Sequence, residues 1–256
     1  MGTATGVSKN IVVIGASSGI GLELTKELLK SGNKVWGLAR HVEALRSSAE
    51  SHGNQGTLLS SEIDISRKET IVAFARELRD AGFMPDVVVI NAGIYQNDMD
   101  RNVSSEITRE LMDTNCMGAI YCVQELLPLV AHNGQFIAIS SSSALKGSGY
   151  EGAGYAASKA ALSVSFESFY LKWSRAGPMF TTVFFGPLET SLRRTKGSTV
   201  FLTSAQDAAA CVMKAIRGRK PVYYCPALLF LCLRLAKILP SSIYLHLLRR
   251  MESKMQ

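Results

Sequence analysis

Tyr155 and Lys159 are a pair of side chains whose types and spacing could move a proton. They lie four residues apart in the segment 154–162, which is rich in alanine, contains no proline and therefore predicts a helix. Residues with this spacing project from the same helical face, about one turn apart. An ammonium group beside a phenol favours the phenolate and lowers the phenol pKa toward the range of a general acid–base. An ordinary surface Tyr and Lys on an alanine-rich helix would show the same spacing, so the rest of the sequence must decide whether the two form an acid–base pair.

Short apolar runs alternate with helical segments along most of the chain. The predicted strands cover 10–14, 34–39, 58–63, 86–90, 135–140 and 180–185; the predicted helices cover 22–31, a segment before the third strand, 70–81, about 105–131, the segment around Tyr155, and a helix that Ser204 caps and that runs to 216. Strands that alternate with helices predict a parallel sheet with helices on both faces. We therefore expect an α/β fold with a Rossmann-type doubly wound parallel sheet, as a single domain over 1–256 with its core at about 10–216.

A glycine-rich turn joins the first predicted strand to the first helix. The turn contains Gly15, Gly19 and Gly21, with Ser17, Ser18 and Ile20 between them. Glycines allow close approach of the backbone, and a helix N-terminus offers free N–H groups and a favourable dipole to a phosphate. The strand, turn and helix together predict a dinucleotide-binding site.

Arg40 ends the second predicted strand, 25 residues after Gly15. An acidic residue at this position would bond the ribose 2′-hydroxyl of NAD, whereas an arginine accommodates the 2′-phosphate of NADP. The preceding residue is Ala39, so no carboxylate competes for this place. The sequence therefore favours NADP(H).

Charge and cysteine content exclude several other classes of protein. The chain has 256 residues and a formal charge of +7, yet residues 217–256 alone hold eight Lys and Arg against Glu252, and the remainder is balanced. This distribution does not indicate nucleic-acid binding. Five cysteines with no C-x-x-C spacing predict reduced thiols and no metal site. The first ten residues contain no apolar run, so we expect no secretory signal and a cytoplasmic protein.

The C-terminal extension, about 221–256, is both apolar and basic. Its apolar segment 227–240 has 14 residues and two charges, fewer than the ~20 apolar residues that a bilayer span needs. The following segment, 243–251, is also apolar and carries Arg249 and Arg250. We expect helices that either pack on the domain or another subunit, or lie peripherally on a membrane surface.

Taken together, these residues resemble the short-chain dehydrogenase/reductase family over about 11–190. The motifs occur in the family's order and spacing, and the resemblance assigns positions that residue types alone did not. The matched positions are Gly15, Gly19 and Gly21 in the glycine turn, Asp64 and Ile65 near the adenine, Asn91, Ala92 and Gly93 in the N-A-G motif, Asn115, Tyr155 and Lys159 among the catalytic residues, and Pro187, Leu188 and Thr190 beside the nicotinamide carboxamide.

Two departures from the family pattern affect the expected site. Phe185 and Gly186 stand where the family has Pro-Gly. The catalytic serine has two candidates: counting back from Tyr155 indicates Ser142, and aligning the preceding strand indicates Ser141. Both candidates remain open at this point.

The resemblance implies reversible hydride transfer between a nicotinamide and a carbonyl carbon. In this reading Tyr155 donates the proton, Lys159 lowers the pKa of Tyr155 and bonds the nicotinamide ribose, and Ser141 or Ser142 holds the substrate oxygen. Asn115 would position a water that relays protons through Lys159. The resemblance also implies a homodimer or homotetramer that associates through the long helices at about 105–131 and 155–175.

The residues expected near the substrate are mostly apolar. They are Tyr95, Tyr150, Phe185, Leu192 and Phe201, whereas Arg193, Arg194 and Lys196 are expected to face solvent. This set favours an NADP(H)-dependent carbonyl reductase of lipid, steroid or aromatic ketones. One alternative is a 3-oxoacyl-thioester reductase whose Arg193, Arg194 or basic extension meets an acidic carrier. Another is a non-enzymatic, NADP-sensing interaction protein on the same fold.

Overall fold

The computed structural model describes residues 8–50, 55–98, 103–147, 152–173, 175–189 and 202–252. Within these residues one seven-stranded sheet forms in the order β3-β2-β1-β4-β5-β6-β7, and each neighbouring pair is parallel. The strands are β1 (Asn10–Ile14), β2 (Lys34–Ala39), β3 (Thr57–Glu62), β4 (Val87–Ile90), β5 (Gln135–Ser141), β6 (Met179–Phe185) and β7 (Val222–Cys225). The expected doubly wound parallel fold is confirmed.

Helices connect the strands and extend the chain beyond the sheet. They are α1 (Gly19–Lys30), α2 (Glu43–Glu50), α3 (Lys68–Asp80), α4 (Ser105–Met112), α5 (Gly118–Leu126), α6 (Ala153–Trp173), α7 (Ala205–Gly218), α8 (Ala227–Ala236) and α9 (Ser241–Glu252). A π-helical turn (Asp113–Met117) joins α4 to α5, and a 3₁₀ turn (Ser142–Leu145) follows β5. Ser204 accepts a hydrogen bond from the Asp207 N–H, as expected for the cap of α7.

The two faces of the sheet are both buried, because alternate side chains of each strand point to opposite faces. Val12 packs with residues of α3, α5 and α6 on one face, and Val13 packs with residues of α1 and α7 on the other. Both faces of a parallel sheet need apolar side chains for this reason, which explains the continuous apolar strands in the sequence.

The strand order reverses direction between β1 and β4. From β1 the chain continues outward through β2 and β3, and it then returns to place β4 on the other side of β1. Ile14 is paired with Ile90, so the turns that follow these two strands begin side by side. Ligands of doubly wound sheets bind in the crevice at such a reversal, beyond the carboxyl ends of the strands.

Three parts of the structure differ from the sequence expectation. α1 begins at Gly19 rather than at residue 22, because the glycine turn itself supplies the first helical residues. The expected helix at about 105–131 is interrupted by the π-helical turn and ends at Leu126. β7 was not expected, because Pro221 and Pro226 confine it to four residues at the edge of the sheet.

The extension after β7 forms α8 and α9. Both helices are apolar and basic, as expected. Among the described residues, the structure contains no helix with the length and hydropathy needed to cross a membrane.

Candidate active site

Gly15 forms the turn at the end of β1. Its φ is 86°, a conformation that side-chain-bearing residues rarely adopt, and a Cβ there would lie 2.6 Å from the backbone nitrogen of Ala92. At Gly21, in the first turn of α1, a Cβ would lie 1.9 Å from the carbonyl oxygen of Gly15. Side chains at these two positions would therefore break the contact between the turn, α1 and the loop after β4.

The N-terminus of α1 is open to an anion. Ser18 is the N-cap residue, and its side chain makes no capping hydrogen bond. Ser18 is exposed, Ser17 is half-buried, and Ile20 packs into the core beneath the turn. The first N–H groups of the helix and its dipole are thus available to negative charge. These residues fit the pyrophosphate of a dinucleotide.

The segment after β4 is fastened to the glycine turn. The side-chain amide of Asn91 donates to the Gly15 carbonyl over 2.8 Å. The backbone N–H groups of Asn91 and Ala92 both donate to Ile14, over 2.9 and 2.8 Å. The N-A-G motif therefore holds the ends of β1 and β4 together.

Gly93 is where Asn115 and Lys159 meet. A Cβ on Gly93 would lie 2.9 Å from Asn115 Oδ1 and 3.2 Å from Lys159 Nζ, so both side chains reach directly to its backbone. Asn115 is held on both ends of its amide: Oδ1 accepts from the Ile94 N–H (2.8 Å), and Nδ2 donates to the Ile94 carbonyl (3.0 Å) and to Ser158 Oγ (3.1 Å). The structure thus brings together two residues from distant motifs.

A wide helical turn aims the Asn115 side chain. Asn115 is the central residue of the π-helical turn between α4 and α5 and is buried. Single π-helical turns inside α-helices often occur at functional sites, because the extra residue re-aims side chains. The residue types of 113–117 give no signal of this turn.

Lys159 is buried, with a side chain that is 6 % exposed, and its Nζ donates to the Ile139 carbonyl over 3.1 Å. Burial lowers the pKa of Lys159 from its ordinary value of 10.5 to about 8. The group can therefore exchange a proton far more readily at physiological pH than a surface lysine can.

Tyr155 lies one helical turn before Lys159 on α6, as the spacing predicted. Its ring meets the ring of Tyr95 edge-on, with centroids 5.1 Å apart and an interplanar angle of 85°. Ser158 Oγ donates to the Tyr155 carbonyl over 2.8 Å and accepts from Asn115. Ser158 therefore links the backbone of Tyr155 to Asn115, a role that the sequence did not reveal.

The serines after β5 have different partners. Ser140 Oγ lies 2.8 Å from Ser163 Oγ on α6, and Ser141 Oγ lies 2.9 Å from Ser143 Oγ. Ser142 is buried, and within the described residues its hydroxyl makes no hydrogen bond. Ser140 and Ser143 are thus engaged in the fold. Ser142 has a hydroxyl to offer, and Ser141 can donate to a ligand when Ser143 is the donor of their shared hydrogen bond.

Arg40 is exposed at the end of β2, as expected. Within the described ranges, its guanidinium takes part in no ion pair, so its charge is available to an anion. Asp64 follows β3 and accepts from Ser66 through Oδ1, and Ile65 is buried against Gly118 of α5. The turn, Arg40 and Asp64 all follow carboxyl ends of neighbouring strands.

The segment 186–189 follows β6, with a bend at Pro187. Gly186 donates to the Cys225 carbonyl, and Leu188 forms a bridge with Thr203. The Thr203 N–H donates to the Pro187 carbonyl over 3.0 Å. Pro187 and Leu188 are therefore fixed beside the same sheet edge as the glycine turn.

Phe185 corrects the sequence expectation about the substrate. Its side chain is 1 % exposed and packs in the core on the α1 and α7 side of the sheet, because alternation along β6 points it away from α6. It does not face a substrate. Of the other residues expected near the substrate, Tyr95 packs its ring against that of Tyr155. The other residues expected near the substrate, together with Thr190 of the expected cofactor site and the three cationic residues expected in solvent, lie outside the described residues: Tyr150, Thr190, Leu192, Arg193, Arg194, Lys196 and Phe201.

Asp98 holds the start of α6. Its Oδ2 accepts from the Gly154 N–H and from Thr108 Oγ1, both over 2.7 Å, and the residue is 1 % exposed. Burial by itself would raise the pKa of Asp98, but the hydrogen bonds from Thr108 and Gly154 outweigh it and hold the pKa below its ordinary value. The carboxylate thus caps the helix one residue before Tyr155. The partners are 56 positions apart along the chain, which explains why sequence reasoning missed this cap.

Comparison with known proteins now decides the family. The sequence profile described as short chain dehydrogenase matches residues 9–200. The chain belongs to the short-chain dehydrogenase family. The glycine turn, Asn115, Tyr155 and Lys159 all lie within the matched stretch.

Two relatives are similar to this short-chain dehydrogenase in sequence. An uncharacterized oxidoreductase of Myxococcus xanthus is 31% identical over 245 residues, which cover 92% of this chain and 94% of the relative. A farnesol dehydrogenase of Aedes aegypti is 38% identical over 121 residues, which span 46% of this chain and 49% of the relative.

Solved structures share the fold of this short-chain dehydrogenase. A short-chain dehydrogenase from Sphingobium yanoikuyae in complex with NADPH has a TM-score of 0.75 at 18% identity, covering 86% of this chain and 88% of its own. A family member from Burkholderia phymatum in complex with NAD has a TM-score of 0.78 at 17% identity, covering 90% and 93%. The fold therefore accepts either nucleotide, and residues of this chain must set any preference.

Asp98→Ala should loosen the helix start that carries Tyr155. Loss of a capping carboxylate costs about 1 kcal/mol of stability, and the first turn of α6 should open more often. Amide hydrogen exchange in peptides covering 153–159 should become faster, and Asp98→Asn should lie between the variant and the wild type. Asp86→Ala is the matched control, because Asp86 Oδ2 accepts from the Asn10 N–H at the far end of β1. Unchanged exchange at 153–159 in Asp98→Ala would contradict the capping role.

Lys159→Met should stabilise the cofactor-free protein at pH 7. Below about pH 8 the folded protein carries a buried ammonium group. Its lowered pKa corresponds to a destabilisation of the folded state on the order of 3 kcal/mol. Between about pH 8 and 10.5 the unfolded chain binds a proton that the folded chain lacks, so wild-type stability should rise with pH there and the difference from the variant should shrink. Urea unfolding at pH 7 and pH 10 measures this.

Lys172→Met is the control for the lysine experiment, because Lys172 is exposed on the same helix. It should show no pH-dependent difference from the wild type. A Lys159→Met protein that is less stable than the wild type at pH 7 would show that the Ile139 hydrogen bond outweighs the cost of burial.

Proposed function

We propose that this protein is an NADP(H)-dependent oxidoreductase that interconverts a carbonyl and a secondary alcohol on an apolar substrate. The observation that carries the proposal is the convergence of Asn115 and Lys159 on Gly93, with Tyr155 one turn from the lysine. Family membership supports the reaction class, and the glycine turn beside this convergence supports a dinucleotide next to the acid–base group.

Tyr155 would transfer a proton to or from the substrate oxygen. When bound, the nicotinamide would supply or accept the hydride. Lys159 lies one helical turn from Tyr155 and stays protonated below about pH 8, so its charge would favour the phenolate of Tyr155, and its lowered pKa would let it pass on its proton. Asn115, fixed at both ends of its amide, would hold the relay beside Lys159.

Ser142 or Ser141 would hold the substrate oxygen. The hydroxyl without a hydrogen-bond partner in the described residues favours Ser142, since it can donate with no loss of an internal bond. Ser141 Oγ accepts from the Ser143 N–H and lies 2.9 Å from Ser143 Oγ, so it can donate to a substrate only while Ser143 is the donor of the bond between the two hydroxyls. We therefore prefer Ser142, and the variants Ser141→Ala and Ser142→Ala separate the two.

Arg40 supports NADP(H) over NAD(H). The exposed guanidinium lies at the strand end where the adenosine ribose binds in this class of fold, and the residue before it is Ala39. An arginine gives a phosphate strong, charge-assisted hydrogen bonds. Ser17 and Ser18 of the glycine turn, Asp64 and Ile65 near the adenine, and Pro187, Leu188 and Thr190 beyond β6 would complete the binding site.

An apolar substrate fits the residues around Tyr155. The ring of Tyr95 forms one apolar side of the site, and α8 places further apolar side chains beyond β7 at the same edge of the sheet. One relative is named a farnesol dehydrogenase, and farnesol is an apolar alcohol. Lipid, steroid or aromatic ketones are the substrate classes that we propose.

Two other functions are less well supported. A 3-oxoacyl-thioester reductase would use the same Tyr155 and Lys159 and would need a cationic surface for an acidic carrier, which the C-terminal extension offers. An NADP-sensing interaction protein would have no use for a buried lysine that lowers stability. Turnover of acyl thioesters would favour the first alternative, and NADPH binding without any turnover would favour the second.

We also propose a homodimer or homotetramer that associates through α6. Val164 and Leu171 of this helix are exposed, apolar and seven residues apart, so they share one helical face. Val164→Glu should therefore shift the mass measured by light scattering toward the monomer.

Tyr155→Phe should lose almost all turnover and keep its affinity for NADPH. The change removes only the hydroxyl that would carry the proton, and general acid–base groups contribute roughly 10²- to 10⁴-fold to rate. NADPH oxidation over a panel of ketones, steroids, quinones and acyl thioesters measures turnover, and fluorescence titration measures binding. Tyr95→Phe, which keeps the neighbouring ring, should have a much smaller effect. Normal turnover in Tyr155→Phe would refute the mechanism.

Arg40→Asp should reverse the cofactor preference. Loss of a charge-assisted bond to the 2′-phosphate should weaken NADPH binding about tenfold or more, while an aspartate can accept from the 2′-hydroxyl of NADH. Titration with both nucleotides gives the ratio of dissociation constants. Arg46→Asp makes the same charge change on α2 and should leave the ratio unchanged. Equal NADPH affinity in Arg40→Asp and wild type would remove the argument for NADP(H).

A further inference from the structure

The C-terminal helices are anchored to the sheet by one side of α8. Phe230 is buried, and its ring packs on Tyr224 of β7 and Phe184 of β6 with centroid distances of 4.8 and 6.1 Å. The guanidinium of Arg234 lies over the Tyr224 ring, 4.7 Å from its centroid, and donates to the Tyr224 hydroxyl. These contacts fix which face of α8 points outward.

The outward face of α8 is apolar. Leu228, Leu231 and Leu235 are 59, 55 and 57 % exposed, and their spacing of three and four residues places them in one stripe; Ile238, in the turn after α8, is 80 % exposed. On α9 the residues Ile243, Leu245 and Leu247 are exposed as well; Ile243 and Leu247 are four residues apart and share a helical face, while Leu245 lies on another side. We name the exposed apolar side chains of both helices the outer face. Large apolar side chains exposed in such number on a folded protein indicate an interaction surface.

The part of the chain that carries the outer face is strongly basic. Residues 217–256 contain eight Lys and Arg and a single acidic residue, Glu252, while residues 1–216 contain 20 of each sign. Lys237 follows α8 and Arg249 lies on α9, and both are exposed. The net charge of the whole chain therefore belongs to the part that carries the exposed apolar side chains.

The charge of the extension and the length of α8 together indicate what binds to the outer face. A second copy would place two strongly cationic extensions against each other, which is unfavourable. A ten-residue helix is about 15 Å long, half of the ~30 Å hydrocarbon core of a bilayer, so α8 can lie in the membrane interface and cannot cross it. Apolar side chains flanked by Lys and Arg are the features of interfacial helices, and each cation near an anionic surface strengthens the attraction.

We propose that the outer face of α8 and α9 docks on the surface of an anionic phospholipid bilayer. The leucines and isoleucines enter the boundary between headgroups and acyl chains, while Lys237 and Arg249 contact lipid phosphates. The evenly charged remainder of the protein adds no net attraction, so the extension also orients the molecule on the membrane.

Docking would bring the candidate active site to the membrane. β7 ends at Cys225, and α8 begins at Ala227, at the same sheet edge as the glycine turn and Gly186. An apolar substrate dissolved in the bilayer would then reach Tyr155 without crossing water. This consequence rests on the proposed function, whereas the docking itself does not.

Vesicle co-sedimentation tests the docking. The probes are vesicles of phosphatidylcholine alone and vesicles with 30 mol% phosphatidylserine, a composition chosen as roughly that of an anionic leaflet. The wild type should bind the anionic vesicles at least tenfold more tightly than the neutral ones, and higher salt should weaken that binding. Leu231→Glu with Leu235→Glu, and separately Lys237→Glu with Arg249→Glu, should each reduce the affinity at least tenfold.

Matched controls separate the outer face from general effects of hydrophobicity and charge. Met84→Glu changes an exposed apolar residue at the opposite end of the sheet, and Arg76→Glu with Arg79→Glu makes the same charge change on α3. Both controls should bind like the wild type. NADPH titration of every variant verifies the fold and reads the proposed function independently of vesicle binding.

Two outcomes would overturn the proposal. One is wild-type binding to anionic vesicles no tighter than to neutral vesicles. The other is a sedimentation-velocity dimer that the Leu231→Glu, Leu235→Glu variant converts to monomer while vesicle binding persists, since that would assign the outer face to a second copy.

Discussion

The adjacency of β1 and β4 is the constraint on which the site depends. Because the strand order reverses there, Gly15 and the N-A-G segment begin side by side, and Asn91 fastens one to the other. Because Gly93 has no Cβ, Asn115 Oδ1 and Lys159 Nζ can both lie within about 3 Å of the position that a Cβ would occupy. The proposed nucleotide site and the proposed acid–base group thus share one joint between two strands.

Burial of Lys159 at this joint lowers the stability of the folded protein. Burial lowers the pKa of Lys159 to about 8, so the fold holds an ammonium in an environment that disfavours it. Neighbouring contacts compensate by making the surroundings rigid: Asp98 caps α6 at Gly154, and Ser158 ties Tyr155 to Asn115. A reactive group with an unfavourable protonation state keeps its position only when such contacts fix it.

The C-terminal extension applies a different physical principle to the same sheet edge. Aromatic packing of Phe230 on Tyr224 and Phe184 orients α8, and this orientation turns leucines outward that a larger domain would bury. The cationic side chains beside them make the face suited to an anionic surface rather than to solvent. The candidate site and the extension are related only by position, because both lie beyond the carboxyl ends of the strands.

Local patterns in the sequence determined the parallel fold, the glycine turn, the Tyr155–Lys159 spacing, the place of Arg40 and the apolar, basic extension, because each depends on residues close together along the chain. Tertiary structure decided the rest. The cap from Asp98 to Gly154 joins residues 56 positions apart, the π-helical turn at Asn115 and the four-residue β7 have weak local signals, and the register of β6 buries Phe185. Which face of α8 points outward was also undetermined, since apolar residues surround that helix and only the packing of Phe230 chooses between its faces.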